Sequence, residues 1–468
     1  MNKISSNTRS FKPVDMTTGE PWKKILAFTL PMLLGNVAQQ LYNTVDSIVV
    51  GKYVGDNALA AVGSAGPILN LIIVLFIGVS MGASIMVSQF FGARDREALS
   101  WTVGNCILLT IISSVIVTGF GLIVTRPLLE LLNTPAEIID WCTSYLWILF
   151  AGSTGMAFFN IISGVLRGLG DAISALLYLV VSTFLNIILD IVFVANFGLG
   201  VNGVALATVI AQSISAVLCV RRLIKMTDLF DFKLSYMKWK KRYGEGIVRL
   251  GLPSGITQAI LSMSMILVQS LTNQFGAQFV ASNVIVMRVD GFAMLPNFSF
   301  GTALTTYVGQ NIGAGDMKRV TRGAKQGLVL SLIVSLVLVA LILIFGRQLM
   351  GIFTNTDELI DLSMQLMKIL ALGYIAMAVI QTLAGVMRGA GDTVTPMWLS
   401  IVQTLGIRVP LAYLFCFLTR TPELPKGRQE MIYVSLLVSW LVGAALHVIF
   451  YKRGKWKEKS VVGDPSDS

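Results

Sequence analysis

Apolar residues in this chain do not alternate with polar ones but run in blocks, each long enough to cross the ~30 Å hydrocarbon core of a bilayer as a helix. Twelve blocks are read, at 25–50, 58–89, 102–125, 138–166, 172–195, 200–222, 246–275, 280–310, 323–347, 360–388, 393–417 and 430–451. A lipid-embedded backbone must satisfy its own hydrogen bonds, so continuous blocks of this length predict helices. Several exceed the ~20 residues a span requires and must tilt, bend or protrude. The predicted fold is all-α: a polytopic membrane protein of twelve transmembrane helices in two pseudo-symmetric six-helix bundles.

The division in two comes from a repeat. Gly-Val-Leu-Arg-Gly-Leu-Gly-Asp-Ala at 164–172 returns at 385–393 with six of nine positions identical. The same 221-residue step carries Gln89, Gly92, Ala93 and Asp95 onto Gln310, Gly313, Ala314 and Asp316, and Asp140 onto Asp361. Near the N-terminus the step is 222, pairing Leu30-Pro31 with Leu252-Pro253. The domains expected are an N-terminal segment 1–24, a first lobe 25–222, a charged linker 223–245, a second lobe 246–451 and a tail 452–468. Six spans begin and end on the same side, so the lobes should be related by a two-fold axis along the membrane normal. Carriers built this way hold substrate between the halves and rock one against the other.

Composition agrees with the blocks and adds an orientation. Mean hydropathy is +0.74 and only 13% of residues are charged, too few for a water-facing surface on 468 residues. The net charge of +11 is a topology signal, and no nucleic-acid partner is expected. Placing both termini on one side puts 26 of the 36 Lys and Arg there, against six opposite and four within spans. The positive-inside rule makes that side cytoplasmic, in a cell membrane. The first block contains Asn36, Gln39 and Asp46 and is read as a retained helix, not a signal-peptide core. Cys106, Cys142, Cys219 and Cys416 lie inside spans without metal-ligand spacing and are read as small buried hydrophobes. His447 is the sole histidine and offers no relay partner.

A carboxylate in hydrocarbon costs several kcal/mol and is a functional candidate by default. Asp46, Asp190 and Asp290 qualify. Asp190 has Asn186 one turn earlier on the same face, a pair that can hold a proton or supply oxygen ligands to Na⁺, or simply clamp two helices. On the first helix Asn36, Gln39, Asn43 and Asp46 fall within ~80° of arc, and on the seventh Gln258, Ser262, Gln269 and Asn273 within ~60°. Asn283, Asp290 and Asn297 recur every seven residues on the eighth. These stripes are expected to line the cleft. The positions matching Asn186 and Asp190 in the second copy are Ile407 and Leu411, so the acid–amide pair belongs to the first lobe alone. Asp290 either contacts ion or substrate or neutralises Arg288, while Arg408 is expected to brace the interior. The paired Arg-Gly-x-Gly-Asp turns, with Arg167, Asp171, Arg388 and Asp392, are read as structural. The Gly-Ala-x-Asp turns are not phosphate loops, because no Gly-Lys-Ser opens a helix after them. No catalytic set, metal centre or cofactor is read, so the chain is not expected to be an enzyme.

Leu30-Pro31, Gln40-Leu41-Tyr42-Asn43-x-x-Asp46-x-x-x-x-Gly51, Ala60-Ala61 and Gly309-Gln310-Asn311-x-Gly313-Ala314-Gly315-Asp316, set in twelve spans, resemble the multidrug and toxic compound extrusion (MATE) family over about residues 20–450. The resemblance implies exchange of H⁺ or Na⁺ for amphipathic, often cationic, organic compounds. It also implies a coupling-ion site at Asp46, Asn186 and Asp190, joined by Thr208 on the sixth helix. The absence of further deep acids on spans seven and ten is similar to the DinF-like branch. The expectation is therefore a monomeric, ion-coupled efflux antiporter whose partners are the bilayer and small amphipathic substrates, with a cavity at Asn36, Gln39, Asn43, Gln258, Gln269, Asn273, Asn283 and Asp290. The alternative is a flippase for a lipid-linked saccharide or peptide precursor, which calls for an Arg- and Lys-rich cleft.

Overall fold

The computed structural model describes residues 13–132 and 134–462. The first lobe is built from α1 (Pro21–Tyr53), α2 (Asp56–Gly92), α3 (Arg96–Leu131), α4 (Ala136–Ala151 continued by Ser153–Gly168), α5 (Ala172–Asp190, extended by a π-helical turn Ile191–Asn196) and α6 (Gly200–Ile224). A linker with one 3₁₀ turn, Leu234–Met237, leads to the second lobe. That lobe holds α7 (Lys241–Asn273), α8 (Ala277–Ala293 with Leu295–Gly313), α9 (Met317–Gly351), α10 (Asp357–Gly389), α11 (Val394–Leu418, with a π-helical segment Val402–Arg408) and α12 (Met431–Arg453). Ten of these are apolar enough along their length to cross a membrane unaided, and α4 makes eleven despite a 54° bend at its centre. The twelfth is α1, whose polar stripe lowers its hydropathy without shortening it.

The repeated turns are helix punctuation. In each Arg-Gly-x-Gly-Asp copy the last glycine takes a left-handed conformation, φ 88° at Gly170 and 97° at Gly391, closing one helix as only a residue without Cβ does cheaply. The aspartate that follows caps the next helix: Asp171 accepts from Ser174 N at 3.0 Å and Asp392 from Thr395 N at 3.1 Å. Asp95 and Asp316 cap α3 and α9 in the same way, at 2.9 and 2.8 Å. Each such cap contributes about 1 kcal/mol. The structural reading of these acids follows. Asp140 and Asp361, also related by the repeat, pair the exposed Arg126 and Arg347 at the other end of the bundle, where ion pairs contribute little.

The lobes are sealed at the end that carries both described terminal segments, around Met16 and Val461. There α2 packs along α7 and the second half of α8, while α1 crosses to α8 and α9. The seal depends on backbone meeting backbone: a Cβ at Gly92 would overlap the Gln310 carbonyl, and one at Gly313 the Gln89 carbonyl. Around this contact two symmetry-related glutamines reach across. Gln89 Nε2 donates to Gly389 O at 2.9 Å and its Oε1 accepts from Val461 N at 2.8 Å. Gln310 Nε2 donates to Gly168 O at 3.2 Å and its Oε1 accepts from Met16 N at 2.9 Å. Each glutamine thus ties its own lobe to the other lobe's Arg-Gly turn and to one terminal segment. Both glutamines are fully buried, as are Met16 and Trp456 of the terminal segments.

The linker is held against α3 by Ser100, which accepts from Asp231 N at 2.8 Å, by Asn105, which accepts from Lys240 N at 3.0 Å, and above all by Arg96. Arg96 donates to Asp231 Oδ1 at 2.6 Å, to Thr227 O at 2.7 Å and to Asp228 O at 3.0 Å. The guanidinium, through its hydrogen bonds, holds the Asp231 carboxyl below its ordinary pKa, so the attachment stands above the usual carboxylate range and is lost as pH falls through the depressed value. Arg96→Ala should leave the bundle folded while exposing residues 227–233 to limited proteolysis. Cleavage no faster than in the parent would show that other contacts hold the linker.

Candidate functional site

The first-lobe acids come together as the sequence expectation requires. Asp190 is the last α-helical residue of α5, immediately before the π-helical turn, and is fully buried with Asn186. Wider turns of this kind displace a side chain from the regular helical face. Asp46 arrives from α1, and its carboxyl lies within hydrogen-bonding reach of that of Asp190. The Asn186 amide, oriented by its hydrogen-bond network, donates to Asp46 Oδ1 at 2.8 Å and to Asp190 Oδ2 at 3.2 Å. Its other amide atom is 3.5 Å from Thr208 Oγ1 on α6. Asp190 Oδ1 is buried and receives no hydrogen bond.

Two carboxylates at hydrogen-bonding separation repel by about 5 kcal/mol at an effective dielectric near 20, before the cost of burying either. One amide donor does not offset this. The arrangement can therefore hold one monovalent cation, a proton between the carboxyls or a small metal ion among oxygens, and the unpartnered Oδ1 supplies a coordinating lone pair. Sequence reasoning named Tyr42 only within the family motif, with no role at the ion site, and did not name Tyr145. Tyr42 Oη donates to Thr208 Oγ1 at 3.0 Å, and both phenols sit buried within electrostatic range of the two acids. Tyr42 was legible as the residue one turn before Asp46; Tyr145, on α4, left no signal in the chain.

A cavity of about 540 Å³ lies mostly within the second lobe, with Ile77 and Met81 of α2 lining it from the first. Gln258, Gln269, Asn283 and Asp290 line it as expected, with Ser262, Met287 and Met294 alongside. Asp290 accepts from Tyr374 Oη at 2.9 Å, and Asn283 Oδ1 from Tyr433 Oη at 2.6 Å. The cation facing Asp290 is Arg408, not Arg288, whose side chain is exposed. The neutralising-partner reading of Asp290 therefore shifts to Arg408, which also lines the cavity.

Other polar positions fall elsewhere. Asn273 is the last residue of α7, exposed beyond the cavity, where it accepts from Gln269 at 2.7 Å; the helical stripe continues past the end of the pocket. Asn297 turns away to contact Tyr374 O at 3.3 Å and Ser335 Oγ at 2.9 Å, because α8 restarts at Leu295-Pro296 and the seven-residue register breaks there. Asn36 donates to Ser299 Oγ at 3.0 Å and so stitches α1 to the other lobe. Gln39 is half-buried on the same helix, and the Asn43 side chain lies outside the described residues.

Comparison with known proteins decides the family. The MatE family model matches residues 31–192 and again 253–414, one match in each lobe. The chain belongs to the MATE family of membrane transporters. It is 30% identical to "Probable multidrug resistance protein YoeA" of Bacillus subtilis, over 94% of this chain and 95% of that one. It is 27% identical to "Probable multidrug resistance protein NorM" of Thermotoga maritima over 94% of each. Among solved structures it is similar to a MATE protein in complex with MaL6, with a TM-score of 0.89 at 25% identity, covering 96% of this chain and all of that one. A MATE transporter of the MOP superfamily in an outward-facing conformation matches with a TM-score of 0.88 at 26% identity, over 96% and 100%. As a MATE member the chain is a multi-pass membrane transporter with twelve spans in two lobes, and not an enzyme.

Proposed function

We propose that this MATE transporter is a secondary antiporter that exports amphipathic organic compounds, many of them cationic, from the cell in exchange for H⁺ or Na⁺. In this reading it is a monomer in the cell membrane with both termini cytoplasmic. Asp46, Asn186, Asp190 and Thr208 hold the coupling ion, and the second-lobe cavity around Gln258, Gln269, Asn283 and Asp290 takes the substrate. The observation that carries the reading is the two-carboxyl cluster in the first lobe, with one buried oxygen left unpartnered. A charge-starved pair of that kind must take up a cation whenever it is closed off from water. The multidrug names of the relatives above support the substrate class, and the amphipathic lining of the cavity suits it.

Coupling requires the ion to distinguish the two states of the transporter, since a ligand that binds both equally shifts nothing. Asp46 provides for this. It rides on α1, which packs against α5 and also against the second lobe, so the position of α1 is part of the rocking motion. Releasing the cation leaves Asp46 and Asp190 to repel and separates α1 from α5; taking it up draws them together. An exchange that carries one net charge down a potential of 100 mV supplies about 2.3 kcal/mol, enough for a roughly 50-fold substrate gradient. The lipid-precursor flippase is less well supported, because Arg408 faces Asp290 and only Arg388 remains in the cavity lining as a cation for a pyrophosphate, short of an Arg- and Lys-rich cleft.

The test is efflux of a fluorescent organic cation from proteoliposomes, with a proton gradient and a sodium gradient imposed separately. Transport driven by one gradient, and collapsed by dissipating it, is expected. Flux indifferent to both would overturn the antiport reading.

A further inference from the structure

On the outer wall of the first lobe a groove of about 690 Å³ runs between α4 and α6. It originates in the 54° bend of α4 at Gly152, which swings the second half of that helix across α6. Gly152 and Gly155 form the floor, so close to α6 that a Cβ on either would overlap Val209 or Ser213. The walls are apolar, with Phe158 from α4 and Val217 and Val220 from α6. At the end nearest the chain termini the groove opens between Arg221 and Lys225.

The dimensions and charges of this groove specify an occupant. From Ser213 to Lys225 is twelve residues of helix, about 18 Å at 1.5 Å per residue, enough to span the ~15 Å of hydrocarbon in one leaflet and reach its headgroup layer. Val217 at the centre of the wall is 67% exposed, and the groove faces away from both the ion cluster and the cleft, so hydrocarbon is what surrounds it. The two cations at its mouth are exposed, and among the described residues no carboxylate pairs with either of them. Their neighbour Arg222 is different: it turns inward and binds the helix-capping Asp171 at 2.8 Å. Two uncompensated cations at the water interface, one turn apart above an acyl-length apolar channel, match a phosphate diester with a hydrocarbon chain attached.

We propose that this groove is a binding site for one anionic glycerophospholipid of the leaflet on the terminus-bearing side, with an acyl chain between α4 and α6 and its phosphate held by Arg221 and Lys225. The lipid fills the space opened by the α4 bend and braces the outer face of α6, whose inner face carries Thr208. The site is separate from the antiport reading and stands or falls without it.

Native mass spectrometry of the full-length, delipidated protein in detergent tests this, by titrating phosphatidylglycerol against phosphatidylcholine of the same chain composition. The parent is expected to retain one phosphatidylglycerol at least tenfold more tightly than phosphatidylcholine. Arg221→Ala with Lys225→Ala should bring the two lipids to equal affinity. Val217→Trp, which blocks the channel and leaves the charges, should weaken both. Free glycerol phosphate should not displace the bound lipid. All three positions are exposed, and unchanged melting temperatures would confirm that the variants fold. Equal retention of the two lipids by the parent, undiminished phosphatidylglycerol binding in the double variant, or displacement by glycerol phosphate would each overturn the proposal.

Discussion

Asp190→Asn will abolish gradient-driven efflux, to the level of empty vesicles, while the protein remains folded and still binds substrate. The substitution is isosteric, so the packing of α5 is kept and the burial of a carboxyl is removed; stability should be equal or higher. What is lost is the only function the buried acid has in the scheme. An amide cannot release a proton, and beside Asp46 it leaves a single charge where two had to be compensated. The repulsion of about 5 kcal/mol between unscreened neighbours at an effective dielectric near 20, which couples ion release to movement of α1, vanishes with it. Downhill exchange of substrate across the bilayer can persist. If the variant retained half of the parent's gradient-driven rate, residue 190 would have no place in the coupling.

The second large effect is expected at the seal between the lobes. Gly313→Val should drive the transporter out of the terminus-closed state, because its Cβ would occupy the position of the Gln89 carbonyl and neither backbone can yield without separating the lobes. Efflux should fall to background. Cysteines introduced in the cleft, at Thr257 for example, should become reactive to thiol reagents supplied from the terminus-bearing side. Gln310→Ala offers a graded comparison. It removes the bonds to Gly168 and Met16 without a clash, and leaving buried partners unsatisfied costs about 1–3 kcal/mol, or roughly a 5- to 150-fold shift in the population of the closed state. A Gly313→Val protein that transported normally and stayed unreactive from that side would mean the seal is not part of the cycle.

These two sites differed in how far the chain betrayed them. The twelve spans were readable because a bilayer imposes a length and a polarity on every helix that crosses it, and the 221-residue repeat was readable because each copy retains its helix caps and turns. Asp46, Asn186 and Asp190 announced themselves by cost, since acids and amides are expensive in hydrocarbon. Thr208 carried no such mark, as a hydroxyl on a membrane helix is cheap; only the family resemblance pointed to it. The seven-residue series Asn283, Asp290, Asn297 failed at its last member because a helix break, not a helical period, governs the direction of Asn297.

The amino-acid sequence alone determined the class of molecule, the twofold repetition, the polar faces of individual helices and the candidate ion-binding residues, all of which follow from local chemistry measured against a hydrocarbon solvent. The tertiary structure decided which of those faces meet. It put the α1 acid beside the α5 acid, set Arg408 and two tyrosines against the second-lobe polar groups, and bound each repeat's glutamine to the opposite lobe. Such contacts join residues up to 372 positions apart, and their energy exists only once the helices have packed, so no periodicity within one segment can encode them.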